Sequence, residues 1–99
     1  MWILKSAGEA PEPITFRILP GNIKTIGRSP GAQFIVDAAL VSRLHCRVSA
    51  GATELQVDDL DSTNGTFVNG KRVKRSSLKE GDGLGVGRVE LVISREPRN

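Results

Sequence analysis

Hydrophobic and polar residues alternate with a period of two in four separate stretches of the chain, at 14–19, 45–49, 54–58 and 89–94. Each stretch is short and rich in β-branched residues, as expected of strands with one buried face. Turn-forming Gly, Pro, Asn and Asp residues separate the stretches at intervals of about 8 to 12 residues. No segment of the sequence shows the 3.6-residue hydrophobic period of a helix over three turns. The pattern predicts an all-β protein, either a sandwich or a barrel.

Two Asn-Gly pairs indicate two different kinds of turn. Asn69-Gly70 lies between the strand-like runs 66–68 and 71–73, an arrangement typical of a two-residue hairpin. Asn64-Gly65 has no room for a strand pair before it. We expect a loop there, in which the chain turns outward and leaves the Asn64 amide free for a ligand. The Asp61 carboxylate is predicted to accept backbone N–H groups of this loop.

The segment 81–87 is dense in glycine and contains a G-x-G-x-G pattern. No helix follows to receive a phosphate group, so a dinucleotide-binding loop is not indicated. We expect a turn followed by a weak strand with close backbone packing.

The composition indicates one small domain of 99 residues, with a core built mainly of Val, Ile and Leu. We expect this domain over 1–95, with 96–99 forming a disordered tail or the start of a linker. The net charge of +3 mildly favours an anionic partner. Cys46 is the only cysteine, which fits a reducing, intracellular compartment (cytoplasmic, or nuclear in a eukaryote) and gives no metal-ligand set. No signal peptide or membrane segment is expected.

Polar residues suited to bind an anion fall in three predicted turns. Arg28 follows a strand-like run, Ser42 and Arg43 precede a second, and Thr63 and Asn64 precede a third. If these turns share one edge of the sandwich, they bring together two guanidinium groups, two hydroxyls and a carboxamide. Such a set suits a tetrahedral oxyanion such as phosphate.

Two other functions can be derived from the residues. Ser42 and His45, oriented by Asp58, Asp59 or Asp61, could form a hydrolytic triad. No nucleophile elbow surrounds Ser42, and His45 is better explained as a buried strut that ties neighbouring loops together. A basic cluster could instead bind nucleic acid, although aromatic residues for base stacking are nearly absent. Its members are Lys71, Arg72, Lys74 and Arg75.

The order and spacing of the loop motifs resemble those of the forkhead-associated (FHA) domain over roughly residues 2 to 94. The flanking segments FIVDAALVSRLH and SLKEGDGLGVG are also similar to that family. The motifs in chain order are Gly27-Arg28, Ser42-Arg43-x-His45, Ser62-Thr63-Asn64-Gly65-Thr66 and Asn69-Gly70.

The resemblance implies a two-sheet antiparallel β-sandwich of about eleven short strands that binds phosphothreonine in an extended segment of a partner protein. Arg28 and Ser42 would then bind the phosphate, Arg43 and Thr63 would add donors, and Asn64 would contact the peptide backbone. No enzymatic activity, cofactor, metal or membrane contact is implied. The residues implied to support the site are Gly27, His45, Asp61, Gly65, Asn69 and Gly70.

Two positions depart from the family pattern. Gly83 stands where a larger residue is usual, so the strand there is expected to be loose. Leu40, in the loop before Ser42, is apolar and suggests an uncharged, aliphatic preference after the phosphothreonine. A sandwich that keeps the motif but binds its partners independently of phosphate stays an open alternative.

Overall fold

The computed structural model describes residues 1–7 and 13–96, and it contains eleven β-strands. Among these residues, no helix has the length and apolar character needed to cross a membrane. The all-β sandwich and the implied number of strands are confirmed. In chain order the strands are β1 Trp2–Ser6, β2 Thr15–Ile18, β3 Ile23–Gly27, β4 Phe34–Ile35, β5 Cys46–Ala50, β6 Leu55–Asp59, β7 Thr66–Val68, β8 Lys71–Val73, β9 Arg75–Leu78, β10 Gly83–Val86 and β11 Val89–Arg95.

The strands form two sheets. One sheet has six strands in the order β2-β1-β11-β10-β7-β8, and the other has five in the order β4-β3-β5-β6-β9. The strand pairs are antiparallel, as expected, except that β3 and β4 pair in parallel over two residues. After β3 the chain loops outward through 28–33 and returns beside the end of β3 in the same direction, where only a short parallel pair can form.

The period-two pattern of the sequence places one face of each sheet in a shared core. Leu91 and Ile93 of β11 and Val48 of β5 are fully or almost fully buried, and the core is made mostly of Val, Ile and Leu, as the composition predicted. Two aromatic residues close one edge of the sandwich. Phe16 of β2 stacks on Phe34 of β4 with 4.4 Å between ring centroids, and so joins the edge strands of the two sheets.

The glycine-rich strand β10 is held on both sides, which corrects the expectation of a weak or loose strand. It pairs with β11 on one side and with β7 on the other. Neighbouring side chains occupy the space above its glycines. A Cβ added at Gly83 would lie 2.7 Å from Glu90 Oε1, and one added at Gly85 would lie 3.1 Å from the Cβ of Phe67. A larger residue at either position would displace these side chains.

Strand β11 ends at Arg95, at the predicted end of the domain. Glu96, the next residue, is hydrogen-bonded to the start of the chain, since its N–H donates to the Met1 carbonyl at 2.8 Å. Residues 97–99 lie outside the described part of the chain, so the predicted tail over 96–99 stays a prediction.

The hairpin predicted at Asn69-Gly70 joins β7 to β8, and both turn residues have positive φ, at 52° and 82°. Positive φ at both positions defines the type I′ turn that matches the twist of paired strands. The Asn69 side chain also fastens the hairpin to the turn before β10. Its Oδ1 accepts from the Gly83 N–H at 2.8 Å, and its Nδ2 donates to Asp82 Oδ1 at 3.1 Å.

The two roles of Asn69 can be separated by replacing it with glycine, which keeps the turn but removes both side-chain hydrogen bonds. We expect Asn69→Gly to lower the free energy of unfolding by about 1–2 kcal/mol, measured by urea denaturation. Lys71→Ala, at an exposed position of the same hairpin, should change it by less than about 0.5 kcal/mol. Equal effects of the two substitutions would contradict a fastening role for the amide.

Candidate functional site

Three loops meet at one end of the sandwich. They are the 3–4 loop (residues 28–33), the 4–5 loop (36–45) and the 6–7 loop (60–65). Backbone hydrogen bonds join them: the Arg28 N–H donates to the Ser42 carbonyl at 2.9 Å, and the Leu60 N–H donates to the His45 carbonyl at 3.0 Å. The convergence of separate turns at one edge, which the sequence could only suggest, is therefore observed.

Gly27, the last residue of β3, allows the 3–4 and 4–5 loops to lie in contact. A Cβ added there would collide with the Arg43 carbonyl oxygen and lie 3.0 Å from the Leu44 Cα. Both are backbone atoms, so they could move only with the whole loop. The absence of a side chain at Gly27 thus sets the position of the segment that carries Ser42 and Arg43.

His45 joins the 4–5 loop to the 6–7 loop from inside the protein. Its side chain is fully buried. Nδ1 accepts from the Ser42 N–H at 3.0 Å, and Nε2 lies 2.8 Å from the Gly65 carbonyl oxygen. This pair of partners requires a neutral ring with its proton on Nε2. The predicted strut is observed, and the hydrolytic triad is not, because both ring nitrogens bind backbone groups rather than the Ser42 hydroxyl.

Asp59, rather than Asp61, organises the 6–7 loop, which corrects the role predicted for Asp61. Asp59 accepts from the Ser62 hydroxyl at 2.5 Å, the Thr66 hydroxyl at 2.7 Å and the Ser62 N–H at 3.2 Å. The Ser62 hydroxyl in turn accepts from the Gly65 N–H at 3.0 Å. The carboxylate at the end of β6 reaches these donors from below the loop, whereas Asp61 is exposed on its outer side.

The Asp59 cluster affects two titrating groups in opposite directions. Burial alone raises the pKa of the Asp59 carboxyl, but the hydrogen bonds from Ser62 and Thr66 outweigh it and lower the pKa overall. Burial, with the negative charge of Asp59 adding to it, raises the pKa of the Cys46 thiol to about 12. Cys46 is therefore a protonated core residue at neutral pH and not a nucleophile.

All five residues predicted to bind a phosphopeptide line one open cleft between the loops. This cleft, hereafter the loop cleft, has a volume of about 680 Å³. The Thr63 N–H donates to the Ser42 hydroxyl oxygen at 3.0 Å, so the Ser42 hydroxyl proton can still be donated to a ligand. The five residues are Arg28, Ser42, Arg43, Thr63 and Asn64.

The sequence suggested that the Asn64 amide is free for a ligand, but its NH2 group is hydrogen-bonded to the 4–5 loop. Nδ2 donates to the Leu40 carbonyl at 3.0 Å across the cleft. Leu40 has a left-handed backbone with φ of 71°, a costly conformation for a residue of this kind. Gly65, at φ of 93°, makes the turn predicted after Asn64.

The two arginines of the loop cleft form no ion pair with any of the described residues. Arg28 and Arg43 are exposed, and the described residues place no carboxylate within 4.0 Å of either guanidinium group. The observed ion pairs lie on β5, β6 and β9, where Asp58 contacts Arg75 at 3.0 Å and Arg47 at 3.8 Å. Two guanidinium groups beside two hydroxyls are donors of a kind suited to a doubly charged oxyanion.

The basic cluster considered for nucleic-acid binding is divided by the structure. Arg75 pairs with Asp58 on the outer face of the five-stranded sheet. Arg72 lies against the 6–7 loop, where its Nε would be 2.8 Å from a Cβ at Gly65. The cluster is therefore not one continuous surface of unpaired cations. In the part of the chain that the structure describes, no three His, Cys, Asp or Glu side chains are placed to hold a metal ion.

Comparison with known proteins identifies the family. The FHA domain model matches residues 24–87. The chain is 36% identical over 86 residues to an ABC transporter ATP-binding/permease protein of Mycobacterium tuberculosis and 36% identical over 73 residues to the glycogen accumulation regulator GarA of Mycolicibacterium smegmatis. These matches cover 85% and 74% of this chain, but only 10% and 46% of the two relatives. The chain belongs to the FHA domain family.

The solved structures agree with this assignment. One FHA domain, from a structural and functional analysis of phosphothreonine-dependent FHA domain interactions, superposes with a TM-score of 0.82. It is 30% identical in sequence, and the match covers 98% of each chain. The similarity therefore extends over the whole domain and is not limited to the loop motifs.

The contact at Gly27 can be tested by adding one methyl group. Gly27→Ala should displace the 4–5 loop and lower the free energy of unfolding by about 1–3 kcal/mol, as overpacking does elsewhere. Gly31→Ala is a matched control in the neighbouring 3–4 loop, where the nearest atom to an added Cβ is the Ser29 hydroxyl oxygen at 3.5 Å. Chemical denaturation of both variants measures the difference. A neutral Gly27→Ala would refute the close-contact role.

The lowered pKa of Asp59 predicts a specific dependence of stability on pH. The ionised carboxylate stabilises the fold above the unfolded-state pKa of about 4, and this contribution is lost as pH falls through the lower folded-state pKa. Asp59→Asn should cost about 2 kcal/mol near neutral pH and progressively less in acid. Denaturation curves from about pH 7 to pH 3 measure the gap between the two proteins. A gap in the free energy of unfolding that stays constant with pH would contradict the prediction. The pKa of Asp82 is also lowered, but Asp82 is present in both proteins, so its contribution cancels in the difference.

Proposed function

We propose that this domain binds phosphothreonine in an extended segment of a partner protein through the loop cleft. The observation that carries the proposal is that Arg28, Ser42, Arg43, Thr63 and Asn64, which come from three separate loops, line one cleft. Membership of the FHA family and the phosphothreonine-dependent interactions named for a 30% identical relative support it.

Each group has a role that follows from its chemistry. A phosphate monoester carries about −1.5 to −2 charges near neutral pH and three acceptor oxygens. Arg28 would donate charge-assisted hydrogen bonds to it, with Arg43 adding positive charge from the adjacent loop. The Ser42 and Thr63 hydroxyls would donate neutral hydrogen bonds. Asn64 holds Leu40 with its Nδ2, so its Oδ1 would accept from the peptide backbone.

Two exposed leucines add an apolar part to the site. Leu40 and Leu44 both line the loop cleft, and the two residues are 44% and 49% exposed. An aliphatic residue of the partner segment would cover part of this surface, which favours binding by about 25 cal/mol per Å² of apolar area buried. We therefore propose a preference for an uncharged, aliphatic residue at the position after the phosphothreonine that contacts Leu40 and Leu44.

The proposed activity is recognition without chemical turnover. His45 is held by backbone groups on both nitrogens, and Cys46 is a buried, protonated thiol, so neither is placed to act on a bound phosphate. The FHA relative GarA is a regulator by name. We propose that this domain likewise serves in regulation inside the cell, where a lone unpaired cysteine is stable.

Substitution of Arg28 tests the proposal. Arg28→Ala should weaken binding of a phosphothreonine peptide by about tenfold to a hundredfold, because it removes hydrogen bonds worth about 1.5–3 kcal/mol. Fluorescence anisotropy with a labelled peptide measures the affinity. Arg17→Ala, an exposed arginine on β2 outside the three loops, is the matched control and should leave affinity within about twofold. A loss of less than twofold for Arg28→Ala would exclude the assignment.

Further ligands separate the alternatives. The unphosphorylated twin of the peptide should not bind; equal binding would favour phosphate-independent recognition. The phosphoserine form tests whether the threonine methyl group is read. A peptide with Gln in place of the aliphatic residues should bind more weakly than its parent if the two leucines contact the segment. Tight, strongly salt-dependent binding of random oligonucleotides in a gel shift would favour the nucleic-acid alternative.

A further inference from the structure

A carboxylate lies in the cleft that would receive the phosphate. Asp61 is exposed on the 6–7 loop and lines the loop cleft together with Arg28 and Ser42. Like charges repel, and a phosphate dianion is the expected ligand of this cleft. Asp61 therefore opposes the group that the two arginines attract, and the reason for a charge of this sign at this place must be sought outside phosphate binding.

The fold does not depend on this carboxylate. The hydrogen bonds that organise the 6–7 loop are accepted by Asp59. Asp61 has a left-handed φ of 56°, but an uncharged Asn or Gly adopts that conformation at least as readily. Within residues 1–7 and 13–96, no Lys, Arg or His nitrogen lies within 4.0 Å of the Asp61 carboxylate. Its charge is thus available to a ligand.

We propose that Asp61 is a specificity residue, which selects a partner segment carrying Lys or Arg close to the phosphothreonine. This inference rests on the proposed function of the cleft. With the phosphate held by Arg28 and Arg43, a neighbouring basic side chain would pair with Asp61, so that both signs of charge in the cleft are matched. The same carboxylate repels a segment with further acidic groups, which a cleft of positive charge alone would accept.

The proposal predicts a coupling between Asp61 and the charge of the segment. The probes are phosphothreonine peptides in which Lys replaces Gln at one position at a time, from three before to three after the phosphothreonine. For wild-type protein, Lys at one or two of these positions should strengthen binding by about two- to fivefold. In Asp61→Asn the Lys advantage should disappear, while the all-Gln phosphopeptide should bind about two- to fivefold more tightly because the repulsion is gone.

Two controls isolate the position of the charge. Glu54→Gln removes one negative charge beyond the far end of β5, and it should retain the full Lys advantage. Asp61→Gly suits the left-handed backbone and should give the same binding as Asp61→Asn. Thermal denaturation shows whether each variant folds. If one of them does not fold, the other serves as the test. Raising the salt concentration to about 1 M, where the screening length is about 3 Å, should shrink the coupling.

The outcomes separate this inference from the proposed function. If wild-type protein distinguishes the phosphopeptide from its unphosphorylated twin but the Lys advantage is absent, or persists in Asp61→Asn, the selectivity assigned to Asp61 is wrong while phosphate binding stands. If Asp61→Asn tightens binding of every peptide equally, Asp61 only weakens the cleft, and the inference is likewise overturned. If the twins bind equally, the proposed function itself fails.

Discussion

The geometry of the binding end depends on one buried imidazole. His45 accepts from the Ser42 N–H and donates to the Gly65 carbonyl, and these two groups belong to different loops that no strand pairing holds together. An unpaired polar group in this fully buried place would cost more than a typical hydrogen bond contributes, so the ring and both backbone groups fix one another. With the 3–4 loop packed against the 4–5 loop at Gly27, all three loops take one relative position before any ligand arrives.

In this domain of modest net charge, two exposed arginines lie in a cleft whose backbone is fixed in this way. Arg28 and Arg43 keep their guanidinium groups in water, where an uncompensated charge costs little. The order is supplied by the neutral and anionic groups beneath them, of which Asp59 is the most connected. A phosphate that enters the cleft would therefore meet donors whose backbone is already fixed, and binding would cost less conformational entropy than ordering free loops.

The sequence predicted features that are local in the chain better than contacts between distant segments. Period-two patterns identified the main strands, and the Asn69-Gly70 pair identified its hairpin, because both signals are local in the chain. The sequence did not distinguish Asp59 from Asp61 as the support of the 6–7 loop, because either carboxylate is close enough in sequence to accept from Ser62. Asp59 is the one that points inward, because it is the last residue of β6. The Asn64–Leu40 contact joins positions 24 residues apart, and the side chains that cover Gly83 and Gly85 come from adjacent strands. Contacts of this kind depend on register, which no local pattern contains.

The residues of the three loops thus fall into two groups, one on the inner side facing the core and one on the outer side facing solvent, and the two groups have different physical requirements. On the inner side, every buried side-chain N or O atom in the described part of the chain has a hydrogen-bond partner, so a substitution there disturbs the fold. On the outer side, Arg28, Arg43 and Asp61 form no ion pair with any residue that the structure describes, and Leu44 is exposed among those residues. Exposed groups of this kind can change with little effect on stability. Ligand preference can therefore vary at the outer positions while the inner network keeps the cleft in place. Asn64 holds Leu40 and also lines the cleft, so the two demands meet at this residue.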